Sequence, residues 1–223
     1  MNGAMVTDEP PGALPVRLYL LSYRPERSRF GRTSDLEYLL RAAALVDLTL
    51  RGCLKDKGGK VATGPKTRSG DRLLDELLRE IRQSDPRSWR AWIRRSGRST
   101  VLAVQDQLVA EKVIEVAEHR VLGLFPARRV TMRRPEVAGR VRDAALAALR
   151  GDTPPAQVDR ADAALVALAA AGELTTAVSR QDRRTHSARI TALGQRCGDG
   201  VPALVKVIRQ VRMARVAAAS GGG

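Results

Sequence analysis

The chain has 223 residues, 43% of them hydrophobic and 3% aromatic, enough apolar matter for a globular core and a bias toward helix over sheet. Lys and Arg number 39 against 24 Asp and Glu, a formal charge of +15, so the surface suits a polyanion: nucleic acid or an anionic membrane face. Two cysteines and two histidines, with no Cys-x-x-Cys pair, exclude a disulfide framework and a structural zinc site.

Residues 1–15 carry acids and prolines without the apolar centre of a signal peptide, and read as a disordered lead. The first clear helix pattern starts at Ser34-Asp35-Leu36-Glu37, a capping-box spelling, and reaches Gly52. Lys57-Gly58-Gly59-Lys60 marks a turn within residues 54–63, a short β-hairpin. Leu73, Leu74, Leu77, Leu78 and Ile81 share one face of a helix over 71–83. Asp85 and Pro86 open a helix that carries Trp89, Trp92 and Ile93. Ser99 and Thr100 cap another, which reaches about Ala117. A second hairpin follows, with strands over 121–125 and 128–133 and a Pro126-Ala127 turn. Pro135 opens a helix that ends at Gly151. Further helices are expected over 157–171, over 185–195 and from Pro202 to Ala219, ahead of a flexible tail over 220–223. The longest apolar run, 163–172, is about half a membrane span. The chain is therefore expected to be soluble and cytoplasmic, with peripheral membrane contact at most. The expected fold class is mainly α: a single helical globular domain over 16–219, with one or two short β-hairpins.

Residues 22–33 form the most basic loop, with Arg24, Arg27, Arg29 and Arg32 ahead of a helix start. Backbone N–H groups, helix dipole and guanidinium forks there suit a phosphate; a solvated basic loop is the plainer reading. Arg41 stands in an otherwise mostly apolar helix. A buried guanidinium needs a partner, which is either Glu37 one turn earlier or a ligand phosphate. Leu122, Leu124 and Phe125, with Arg120, Arg128 and Arg129 around them, mix apolar and cationic side chains at a hairpin. They fit a wedge entering a bilayer, and equally a contact with the core or with a second copy. Trp89 and Trp92 read as packing residues. No GxSxG, GxxxxGK[ST] or HExxH pattern occurs, and neither His119 nor His186 has a visible nucleophile partner. No catalytic residue, cofactor or metal is expected.

Tyr19-Leu20-Leu21-Ser22-Tyr23, followed by residues 39–52, resembles the N-terminal signature of the Golgi phosphoprotein 3 family. The helix from Thr100, the stretch Val121-Leu122-Gly123-Leu124-Phe125-Pro126 and the 163–168 run are similar to its bacterial members, and the Arg-rich, Lys-poor composition suits a high-GC bacterium. The resemblance spans about residues 16–215. It implies a mostly helical domain with a protruding hydrophobic β-hairpin that mediates self-association. It also implies peripheral binding to phosphoinositides, with phosphatidylinositol 4-phosphate the eukaryotic ligand. In the family a Trp and an Arg around the first capped helix, and two Arg on a later helix, hold the phosphate. The first Arg falls on Arg41 and the Trp near Arg32, while the later pair falls on Leu102 and Gln105. One aromatic and two cations are thus replaced, and Arg29, Arg32 or Arg98 is the candidate substitute for the missing charge.

The leading expectation is a non-catalytic peripheral protein of the inner membrane face. It binds anionic phospholipid headgroups through Arg41, Arg32 and Arg29. Leu122, Leu124 and Phe125 insert or hold a homo-oligomer together. The alternative is a winged-helix-type protein whose Arg-rich hairpin meets nucleic acid.

Overall fold

The structure, a computed structural model, describes residues 12–31, 33–121, 125–198 and 200–220. In chain order it holds α1 (Leu14–Leu21), a 3-10 turn (Pro25–Arg27), α2 (Thr33–Leu50), β1 (Leu54–Lys57), β2 (Lys60–Thr63), α3 (Arg72–Arg82), α4 (Trp89–Arg94) and α5 (Gly97–Ala110). Then come β3 (Ile114–Val121), β4 (Phe125–Met132), α6 (Pro135–Arg150), a second 3-10 turn (Pro155–Gln157), α7 (Arg160–Ala171), α8 (Arg180–Thr185), α9 (Ser187–Arg196) and α10 (Gly200–Ser220). The fold is mainly helical with two antiparallel hairpins, β1–β2 and β3–β4, as the composition implied.

α2 lies at the centre, with α1, α4, α5, α7 and α10 packed on it. Its sequence demands this. Leu36, Leu39, Leu40, Leu45 and Leu48 are buried together with the alanines at 42–44, so apolar side chains leave on nearly every side. Such a helix needs neighbours all round. α7 meets the same demand with Ala163 through Ala171, so the longest apolar run is core. All eight residues of α1 are buried as well. Its first turn is held by Asp47 of α2, whose Oδ2 accepts from Leu14 N–H at 2.7 Å while Oδ1 accepts from Arg51 Nε at 2.7 Å. One buried carboxylate thus satisfies an orphan helix donor and is itself charge-matched.

Several boundaries differ from the sequence reading, each for a local reason. The lead is shorter than fifteen residues: Ala13 and Leu14 are buried and α1 opens at Leu14. Residues 1–11 and 221–223 lie outside the described residues. α4 starts at Trp89, not Asp85, with Ser88 Oγ accepting from Ala91 N–H. Residues 87 and 88 stay extended because Val61 N–H donates to Arg87 O at 2.9 Å and Ser88 bridges Lys60. α5 stops at Ala110, not Ala117, where Lys112 takes a left-handed φ of 57° and Val113 N–H returns to Leu108 O. The β-branched residues that follow suit a strand: Ile114 pairs with Met132 and Val116 with Val130. Pro126 and Ala127 do not form the second turn. They lie within β4, opposite Arg120 and His119. A two-stranded ribbon has only edge strands, where a proline without N–H is tolerated. The helix expected over 185–195 is α9, and a short helix that the sequence reading lacks, α8, precedes it, opened by the Ser179–Asp182 capping box.

The β3–β4 ribbon leans on α5 at its base. Val113 and Ile114 are buried there, while Ala117, Arg128 and Arg129 farther along are exposed. Leu122 and Leu124 lie outside the described residues. Phe125 is described by its backbone pairing with Val121, not by its side chain.

α5 approaches α2 through Gly97. A Cβ at that position would sit 2.8 Å from Glu37 Cβ and 3.0 Å from the Glu37 carbonyl carbon. Backbone cannot yield as a side-chain tip does, so α5 would have to move. Gly97→Ala is expected to lower the unfolding free energy by about 2 kcal/mol, read by urea denaturation. A change under about 0.5 kcal/mol would show the contact to be loose.

Candidate functional site

The basic loop between α1 and α2 is built on aromatic rings. Phe30 stacks on Tyr19, with centroids 4.7 Å apart and planes 20° apart, and lies 5.2 Å from Tyr23. Tyr19 Oη accepts from Gln105 Nε2 at 2.9 Å, and burial pushes its phenol up to about 12, so it stays neutral. Gly31 N–H donates to Ser22 O at 3.0 Å and closes the loop.

Within those anchors Arg24 and Arg29 form a one-residue antiparallel bridge. Arg24 N–H donates to Arg29 O at 2.8 Å, and Arg29 N–H donates to Arg24 O at 3.3 Å. Residues opposed in this way carry their side chains on the same side, where like charges repel. Among the described residues no carboxylate forms an ion pair with either guanidinium.

Both arginines line a cleft of about 660 Å³. Gly31 and Leu36 also line it, so the amino end of the 18-residue α2 lies at its rim. The far side comes from distant sequence: Glu173 just after α7, and Arg212 and Val216 of α10. Glu173 Oε2 is 2.8 Å from Arg212 Nη1, so the acid that lines the cleft among the described residues is already matched. Arg212 Nε is buried with no hydrogen-bond partner among the described residues. The cleft therefore keeps two uncompensated cations beside a helix amino end, an environment that favours an anion.

Arg29, named from the sequence as a headgroup contact in the basic loop, lines an open cleft. Arg41 does not, and the phosphate-contact expectation for it is corrected. Its side chain is 4% exposed, and Nη2 donates to Glu80 Oε2 at 2.6 Å. Nε donates to Trp92 O at 3.3 Å, and the guanidinium carbon lies 5.8 Å from the Trp92 ring centre. Its partner is Glu80 of α3, not Glu37. The small cavity beside it, about 170 Å³, is also lined by Glu76 and Glu80, two carboxylates that repel an anion. Arg32 lies outside the described residues. Gln105 is buried with its amide spent on Tyr19, and Leu102 is half-buried on α5.

Arg24 belongs to the basic loop, but its pairing with Arg29 shows only in the structure. Arg212 carries no signal in sequence, since the loop it faces lies more than 180 residues away. Among the described residues no three His, Cys, Asp or Glu side chains gather to hold a metal ion, and no helix is long and apolar enough to cross a membrane.

A helical domain with a β-ribbon and guanidinium groups on an open cleft offers an environment suited to an anion. The chain belongs to the Golgi phosphoprotein 3 family, whose sequence model matches residues 14–211. It is not a known enzyme family. A search of curated proteins returned no match.

Proposed function

We propose that this protein binds anionic phospholipid headgroups at a membrane surface, without catalysis, as a peripheral protein of the cytoplasmic face. One observation carries the reading: Arg24 and Arg29 are held side by side on an open cleft with no acidic partner among the described residues. Like charges placed so cost stability, and a bound anion relieves that cost. Arg32 follows Gly31 in the chain and is kept as a third contact on that ground. The family's phosphoinositide binding supports a phosphorylated headgroup. Leu102 and Gln105, where the family has arginines, favour a general anionic lipid over one inositide.

The β3–β4 ribbon is the second contact in this reading. Its exposed Arg128 and Arg129 meet headgroups, while Leu122, Leu124 and Phe125 enter the bilayer or join a second copy. Each cation near an anionic surface contributes about 1 kcal/mol, and each buried Leu or Phe about 1.5–3 kcal/mol. A few such groups give binding that is useful and reversible.

Vesicle co-sedimentation tests the proposal. The protein is expected to sediment with vesicles of phosphatidylcholine plus phosphatidylglycerol or phosphatidylinositol 4-phosphate, less so as salt rises, and not with phosphatidylcholine alone. Equal binding to neutral vesicles, or none to either, would overturn it. The nucleic-acid alternative has weaker support. α5, its reading helix, packs on α1, α2 and α3, and carries Arg98 as its only cation beside Asp106. A salt-sensitive gel shift without vesicle binding would favour that alternative.

A further inference from the structure

We infer that the last two turns of α10 form a separate bilayer-contact ridge, in which Met213, Val216 and Ala217 enter the headgroup region of an anionic membrane. The inference rests on the lipid reading above and adds an element to it.

The geometry of α10 points there. Leu204, Ile208 and Val211 are buried and mark its inner face. Arg212 and Val216 turn toward the cleft that holds Arg24 and Arg29. Val211 and Ala214 turn the other way, to a second cleft of about 340 Å³ that holds Arg90 and Arg94 of α4. Tyr38 lines both clefts, so they flank α10 at the same level. On a 3.6-residue helix, positions 213 and 217 point away from the inner face, between the two clefts.

The outward face changes character along the helix. Lys206, Arg209 and Gln210 are exposed and polar. One turn later Met213 is 58% exposed and Val216 52%. The outward face thus turns from polar to apolar toward the end of the helix.

The surrounding charge selects the partner. Arg24 and Arg29 stand on one side, and Arg90 and Arg94 on the other; none of the four forms an ion pair among the described residues. Among the described residues the acids lining the clefts are Glu173, matched by Arg212, and Glu37. A short apolar ridge between two cationic flanks is the pattern of an interfacial helix on anionic lipid.

The test uses the full chain. Cys53 and Cys197 are buried, so Ala217→Cys takes an environment-sensitive fluorophore at the ridge. With phosphatidylglycerol vesicles its emission is expected to shift blue and to be quenched by bromine-labelled acyl chains. Met213→Glu/Ala217→Glu, which leaves the lining of both clefts intact, is expected to bind those vesicles roughly tenfold more weakly, with an unchanged thermal melt. Vesicle binding by the wild type with no emission change and no loss in the double variant overturns the ridge and leaves the headgroup reading standing. No vesicle binding by the wild type overturns both. A blue shift that grows with protein concentration without lipid shows that a second copy covers the ridge, and also overturns it. If the double variant fails to fold, the fluorophore result decides alone.

Discussion

Glu80→Ala is expected to lower the unfolding free energy by about 3 kcal/mol, the largest stability loss among the single changes considered. Arg41 is buried within the α2 layer and hands its charge to Glu80 at 2.6 Å. Glu80 also accepts from Arg95 Nε at 2.8 Å, so one carboxylate serves two guanidiniums. Its removal leaves Arg41 with Trp92 O and Thr100 Oγ1 alone, and neither carries a charge. An uncompensated buried charge costs about 3–5 kcal/mol, and the 30% exposure of Glu80 places this case at the lower end. Arg41→Met/Glu80→Met removes both charges, and most of the loss is expected to return. Urea denaturation measures each value.

Acid should erase the same contribution. Burial raises the Glu80 carboxyl, but hydrogen bonds from Arg41 and Arg95 more than offset it, and the group lies below the usual glutamate range. A carboxyl lowered in the folded state contributes stability above its unfolded value, about 4.3, and loses it as pH falls through the folded value. The wild type should therefore lose more stability than Glu80→Ala between about pH 5 and pH 3. Parallel losses would show that the ion pair contributes nothing. Vesicle binding by the folded Glu80→Ala variant is expected to stay unchanged; a marked gain would return Arg41 to the headgroup site.

Arg24→Glu/Arg29→Glu is expected to weaken binding to anionic vesicles by roughly a hundredfold, the largest effect on binding. Two cations at about 1 kcal/mol each become two anions, and the swing approaches 4 kcal/mol before screening by salt. Each 1.4 kcal/mol is about tenfold, so a hundredfold allows for that screening. The fold should survive, because the bridge between these residues is made by backbone groups. Arg24→Gln gives a sharper contrast. It removes a like-charge repulsion, so the melting temperature is expected to rise slightly while binding falls, the trade seen when a functional site is relieved of strain. A stabilised variant with full binding would mean that the pair does not touch lipid.

Much of the fold was legible in the residues. The leucine stripe placed α3 correctly, because a 3.6-residue period is a local signal. Lys57-Gly58-Gly59-Lys60 placed the first turn, where Gly58 and Gly59 both take positive φ. The second hairpin was misread for the opposite reason. Pro126 usually marks a turn, but here β4 has a free edge that accepts it, and only the pairing with β3 shows this. The end of α5 was hidden in the same way, since it depends on a left-handed Lys112 and on a strand partner found beyond residue 127.

The sequence by itself determined the helical class, the cationic surface and the arginine loop, because composition and periodicity act over a few residues. Tertiary structure alone decided which arginines are offered to a ligand. Arg41 and Arg29 are equally basic in sequence, yet one is neutralised by a glutamate 39 positions away and the other faces an open cleft. A charge is silenced or exposed by whatever packs beside it, and packing joins residues that no local pattern connects.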